Sequence, residues 1–173
     1  MRVLHAGCGD APLPFMPFGD CVEVRLDIDI AVNPDVVANI TDMGEIGQFD
    51  AAYCSHALEH LYPHQVATAL NEFYRVIKPG GYALLFVPDL EGLTPTDDVL
   101  FESACGPIAS MDLFYGLRSA IEELPHMAHH TGFTSATLQR ALESAGFTVT
   151  MQRISNYNLA AIARKYVPCS NET

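Results

Sequence analysis

The chain has 173 residues, enough for one domain with its own hydrophobic core and no need of a disulfide or metal staple. Its net charge of −12 repels a phosphate backbone, which argues against nucleic acid as a partner and favours a cationic small ligand. No stretch approaches 18 consecutive apolar residues, so no membrane partner is expected. The start, Met-Arg-Val-Leu-His, lacks the apolar region of a secretory signal. Cys8, Cys21, Cys54, Cys105 and Cys169 have no zinc or redox spacing, which fits free thiols in a reducing, cytoplasmic setting.

In chain order, Arg2–Ala6 reads as a short apolar strand that runs into Gly7-Cys8-Gly9. Such a turn normally feeds a helix, but Pro12, Pro14 and Pro17 follow and forbid one. Val22–Asp27 alternates apolar and polar residues, the pattern of a strand with one apolar face. Val36–Ile40 and Phe49–Cys54 read as the third and fourth strands. Pro63 opens a helix to about Ile77, with Val66, Leu70, Phe73 and Ile77 on one stripe, and Lys78-Pro79-Gly80-Gly81 ends it. Tyr82–Val87 is a strongly apolar, central strand. Ser135–Ala145 is a second amphipathic helix closed by Gly146, and Phe147–Arg153 and Asn158–Ala163 are the last strands.

Strands joined by helices imply an α/β fold, a Rossmann-like and mostly parallel sheet of about seven strands. The connections Ile28–Asp35 and Thr41–Gln48 reach at most about 27 Å each, too short to hold crossover helices. Helices should therefore be missing or reduced on one face, and a homodimer could bury the surface left bare. The segment 89–130 reads as an insertion or lid over the strand ends of a single domain spanning 1–173, with short helices near Asp97–Ala104 and Ser110–Leu117.

Ligands of open α/β sheets bind beyond the carboxyl ends of the strands. Gly7 and Gly9 permit close approach to the backbone, but without a helix N-terminus the loop is badly built for phosphate. Asp27, at the end of the second strand, is in register to accept hydrogen bonds from a ribose diol, and Asp29 could substitute.

"VLHAGCGDAPLP", "RLDIDIAVNPDVVANITDM" and "FDAAYCSHALEHL…LNEFYRVIKPGGYALLFVPD" together resemble the class I S-adenosylmethionine-dependent methyltransferases, in the branch with a short proline-containing loop after GCG. The resemblance covers Arg2–Leu90 and extends loosely to "HTGFTSATLQRALESAGF". It implies S-adenosylmethionine as cofactor, a nucleoside without phosphate, and methyl transfer to a small-molecule acceptor by in-line displacement. It places Ala6, Gly7, Cys8 and Gly9 along the methionine portion, Asp27 on the ribose, and Ile28 on the adenine face. Asp42 and Met43 would flank the adenine edge, and Ser55 and His56 would face the sulfonium and its carboxylate. His5 and Ala11 stand where the family has an acid and a glycine; Asp10 could take over the acid's contact with the cofactor's amino group. These departures motivate a second reading, a non-catalytic cofactor-binding or interaction module on the same scaffold.

His129, His56 and Tyr115 are the candidate bases, and His130 a further acceptor contact. By the resemblance, Glu59 and His60 tie their loop to the following helix. No metal site is expected: Pro63 separates His64 from His56 and His60, and His126, His129 and His130 lack a carboxylate at a ligand spacing.

Overall fold

The computed structural model describes residues 1–167. Cys169 lies outside the described residues. The element order is β1 (Arg2–Ala6), α1 (Phe15–Phe18), β2 (Val22–Asp27), β3 (Val36–Val37), β4 (Phe49–Ser55), α2 (Pro63–Val76), β5 (Ile77–Pro88), β6 (Val99–Ser103), β7 (Gly106–Ala109), α3 (Ser110–Tyr115), α4 (Arg118–Ile121), α5 (Ser135–Ser144), β8 (Phe147–Ile154) and β9 (Asn158–Lys165). Seven strands form one sheet in the order β3-β2-β1-β4-β5-β9-β8, and β6 pairs with β7 in a separate hairpin. Strands β1 to β5 run parallel, β9 runs antiparallel to β5, and β8 pairs with β9. The mostly parallel seven-stranded sheet expected from the sequence is present.

The two faces of the sheet are covered unequally. On one face, α2 presents Val66, Ala69, Leu70, Phe73 and Val76 to the sheet, and α5 adds Leu138 and Leu142. Pro63 at the first helical position and Gln65, whose side chain accepts from the Tyr62 N–H at 3.0 Å, start α2. Thr134 caps α5 by accepting from the Thr137 N–H. The opposite face has only a small cluster of Val3, Phe18 and Ala51, flanked by Leu13, Cys21, Tyr53, Tyr82 and Leu84. The proline-bearing loop from Gly9 to Cys21 covers this face with only the short, kinked α1, whose Met16 is extended at φ −94° and ψ 132°, so the expected loss of helices on one side is observed.

Three local expectations are corrected. The expected helix near Asp97–Ala104 is the hairpin β6–β7: Val99, Leu100 and Phe101 favour a pleated strand, and Ser103 Oγ closes the turn on Gly106 O at 2.9 Å. The third strand ends at Val37 rather than Ile40, because Asn39 turns the chain by accepting from the Thr41 N–H at 3.0 Å. Helix α2 does stop at Val76, but Lys78-Pro79-Gly80-Gly81 belongs to β5, which begins by pairing Ile77 with Phe49. Gly81 is required there, since a Cβ would stand 2.6 Å from the Asp50 carbonyl oxygen. Among the described residues no helix is long and apolar enough to cross a membrane.

Candidate active site

The loop leaving β1 is closed by the protein's own hydrogen bonds. The N–H groups of Gly7 and Cys8 both donate to Leu26 O, at 2.8 and 3.2 Å, and Ala11 N–H donates to Cys8 O. Gly9 N–H donates to Asp27 Oδ2 at 2.8 Å, and Asp29 N–H to Asp27 Oδ1 at 2.9 Å. With these donors engaged, the turn offers no ring of N–H groups to a phosphate. Gly7 has φ +64°, and a Cβ there would stand 2.7 Å from Ala57 Cβ, so β1 and the β4 loop approach as closely as backbone allows. Arg25, on the helix-poor face of β2, donates from its guanidinium to Gly9 O and Ala11 O. It holds the loop in the place a helix would otherwise fill.

A cavity of about 650 Å³ opens beside this loop, at the carboxyl ends of β1, β2 and β4 where strand order reverses. Gly7, Gly9, Asp27, Ile28 and Asp29 form one wall; Ala38, Asn39 and Ile40 form its end. His56, Ala57, His60, Leu61 and Tyr62 stand opposite, and Leu124, His126, Met127 and His130 close over from the 89–130 segment. Ile28 is 62% exposed, an apolar side chain presented to the cavity rather than to the core. The 89–130 segment is rooted at Asp89, which is buried and accepts from Arg153 Nε at 2.8 Å.

The residues singled out in the sequence separate into two groups. Gly7, Gly9, Asp27, Ile28 and His56 line the cavity. Ala6 and Cys8 are buried and outside its lining. Asp42 and Met43 do not line it: Met43 is in the core, its N–H donating to Glu72 Oε2, and Asp42 is exposed beyond the turn that Asn39 makes. Asn39 and Ile40 line it instead. Ser55 is half-buried and outside the lining, as is the carboxyl-terminal candidate His129, whose Nδ1 is tied to Leu113 O at 2.9 Å. Tyr115 is 54% exposed and also outside, because Leu124–Met127 supplies the roof instead. Tyr62 and His130, far apart in sequence, stack their rings with centroids 4.2 Å apart at the cavity edge.

The Leu58-Glu59-His60 turn is fastened to the chain that returns from the roof rather than to the helix that follows it. Glu59 O accepts from His130 N–H and Thr131 N–H, and Thr131 Oγ1 donates to Leu61 O at 2.6 Å. This brings Glu59 and His60 beside His129, and gives the histidine cluster a carboxylate neighbour that its local sequence lacks.

Burial and pairing set the charges. His5 is 2% exposed and bonds Glu23 Oε1 through Nδ1 at 2.7 Å; burial lowers its pKa, outweighing the pull of Glu23. For His56, burial acts to lower the pKa, but the hydrogen bond from Nδ1 to Glu59 Oε1 at 3.0 Å and the carboxylate's charge together raise it. His129 is lowered, chiefly by burial. Burial pushes the thiols of Cys8 and Cys54 up, so neither is a ready nucleophile.

The profile of a methyltransferase-domain family matches residues 22–85, the stretch from β2 into β5. No curated protein sequence matches the chain significantly. Solved structures with the same fold include the Burkholderia thailandensis 1,6-didemethyltoxoflavin N1-methyltransferase, bound to 1,6-didemethyltoxoflavin and S-adenosylhomocysteine. It is 18% identical with a TM-score of 0.65, over 96% of this chain and 71% of that one. Human N-acetylserotonin methyltransferase, in complex with S-adenosylmethionine, is 15% identical with a TM-score of 0.64, over 96% of this chain and 48% of its own. An S-adenosylmethionine-dependent methyltransferase from Clostridium acetobutylicum is 8% identical with a TM-score of 0.67, over 96% and 84%. The chain thus spans about half the length of the human enzyme and more of the two bacterial ones. It has the fold of the class I S-adenosylmethionine-dependent methyltransferases and carries a methyltransferase-domain signature from β2 into β5, which includes two of the three strands at its cavity.

Proposed function

We propose that the protein transfers a methyl group from S-adenosylmethionine to a small-molecule acceptor by in-line displacement. The observation that carries this reading is the placement of Asp27. Its two carboxylate oxygens fix the Gly9 and Asp29 amides, yet each keeps a lone pair for a ribose hydroxyl on the cavity side. The rest of the wall fits the same group. Gly7 and Gly9 clear room for an amino-acid end, Ile28 offers an apolar surface to a purine, and Asn39 and Ile40 close the purine edge. The engaged N–H groups of the turn suit a nucleoside without phosphate. Solved structures of the same fold hold the cofactor or its product, which supports the assignment.

When bound, S-adenosylmethionine supplies a methyl group already activated by its positive sulfur. The protein's part is alignment and exclusion of water. Holding acceptor and donor in line is worth roughly 7–11 kcal/mol by effective-molarity arguments. Leu124 and Met127 in the roof shield the cavity, so the 89–130 segment acts as a lid over the acceptor. His56 is the base for an acceptor that must lose a proton: Nδ1–H donates to Glu59, which leaves the Nε2 lone pair available. Such a base contributes about 10²–10⁴-fold.

Calorimetric titration of the cofactor into wild type and Ile28→Ala tests the cradle, since Ile28 is exposed and its loss spares the core. Saturable heat with wild type and weaker binding by Ile28→Ala is expected; no heat at millimolar cofactor would end the reading. Labelled methyl transfer into a metabolite extract then separates an enzyme from a module that binds without turnover.

A further inference from the structure

We propose that Glu59, His60 and His129 form a site for one divalent transition-metal ion of the zinc class. Each residue offers a ligand atom, and the three atoms lie within 4.8 Å of one another. Around a zinc ion with bonds of about 2.0–2.1 Å, neighbouring ligand atoms are roughly 3.4 Å apart, so side-chain rotations of modest size complete the shell.

The surrounding hydrogen bonds prepare both imidazoles as ligands. His60 Nδ1 is 3.2 Å from Ala128 O, and His129 Nδ1 is 2.9 Å from Leu113 O. A carbonyl oxygen only accepts, so Nδ1 carries the proton in each ring and Nε2 keeps its lone pair. A backbone carbonyl holding the far nitrogen is the arrangement that orients metal-bound histidines elsewhere. The two rings meet edge to face with centroids 4.9 Å apart.

Glu59 supplies the independent observation. It is 1% exposed; Oε1 accepts from His56, while Oε2 is buried with no hydrogen-bond partner among the described residues. A buried carboxylate oxygen without a donor is costly, and a cation beside the two imidazoles would satisfy it. His56 would then hold the carboxylate from behind, as a partner of the ligand rather than a ligand.

Two imidazoles and one carboxylate suit zinc, cobalt or ferrous iron, whereas magnesium and calcium take oxygen donors. Three protein ligands leave a further position for water or an oxygen of the acceptor. His60 lines the cavity, so the ion would stand at its acceptor side. The net charge of −12 raises the local concentration of any cation.

The test needs neither cofactor nor acceptor, so its failure is separate from failure of the methyl-transfer reading. Chelator-stripped protein is titrated with Zn²⁺ against a chromophoric indicator, and with Co²⁺ by visible absorption. One ion per chain and an intense cobalt band of low coordination number are expected. Glu59→Gln and His129→Asn should each weaken zinc binding by more than the roughly 10–100-fold that loss of a ligand's supporting partner costs, with His64→Asn, an exposed histidine outside the cluster, without effect. Circular dichroism and thermal unfolding establish that each variant is folded. Glu59 is buried, so His129→Asn, at a half-buried position, carries the test if Glu59→Gln does not fold. Absence of zinc uptake by wild type would overturn the proposal, as would affinity unchanged in folded His129→Asn.

Discussion

The carboxylate of Asp27 meets the backbone N–H of Gly9 at 2.8 Å, across the gap between two neighbouring parallel strands. One side chain thus shapes the glycine turn and presents a charge to the cavity. Replacing Asp27 by Ala should lower stability by about 1–3 kcal/mol, because two backbone donors lose a charged acceptor. Cofactor affinity should fall by more than that loss explains in a protein that remains folded at the assay temperature. Urea unfolding and calorimetry on the same preparation measure the two effects; unchanged cofactor affinity would remove Asp27 from the binding site.

Arg25 pins the loop through two carbonyl oxygens, Gly9 O and Ala11 O. Arg25→Ala should leave the core intact but free the segment from Gly9 to Cys21. Faster proteolytic nicking between Pro12 and Gly19 is expected, with cofactor affinity reduced about 5–20-fold as the cost of ordering the loop on binding rises. A cleavage pattern identical to wild type would show that the prolines alone hold the loop.

Gly7 and Ala57 form a contact that can be tested by exchange. Gly7→Ala places a methyl group 2.7 Å from Ala57 Cβ at φ +64°, and should destabilise by about 2–4 kcal/mol from crowding and backbone strain together. Adding Ala57→Gly removes the crowding but not the strain, so the double variant should recover part of the loss. Full additivity of the two changes in a double-mutant cycle would mean that the strands do not press on each other there.

Burial lowers the proton affinity of His5 below its ordinary value of 6.5, against the opposing pull of Glu23. As pH falls, the unfolded chain therefore takes up this proton first. The stability contributed by neutral His5 is complete above about pH 6.5 and declines as pH drops through 6.5 toward the lower folded value. His5→Phe should flatten that part of the acid-side slope in urea unfolding followed from pH 8 to pH 5. An imidazole NMR titration placing His5 above 6.5 would contradict the assignment.

Local patterns made much of the sheet readable. The alternation of Val22, Val24 and Leu26 sets β2 to its observed ends, and Pro63 with the Val66–Leu70–Phe73 stripe places α2. Asp27 was legible because a strand end has a fixed geometric meaning in an open α/β sheet. What was hidden depends on where distant chain segments return. Arg25 acts on backbone carbonyls, which have no signature in sequence. Asn39 and Ile40, rather than Asp42 and Met43, line the cavity because a side-chain-closed turn ends β3 early, a shift too small for periodicity to detect. The grouping of Glu59 with His129 arises only when the chain beyond the roof docks on the Leu58–His60 turn.

The sheet order has a consequence for biosynthesis. Strand β9 emerges from the ribosome after β8, yet it lies between β8 and β5 and pairs with both. A nascent chain that stops short of Asn158 leaves the β5 edge open and β8 with no partner in the sheet, an apolar ledge of the kind that recruits other chains. Completion of the sheet therefore waits for β9, and chaperone capture of stalled chains ending near Ile154 should exceed that of chains released past Lys165.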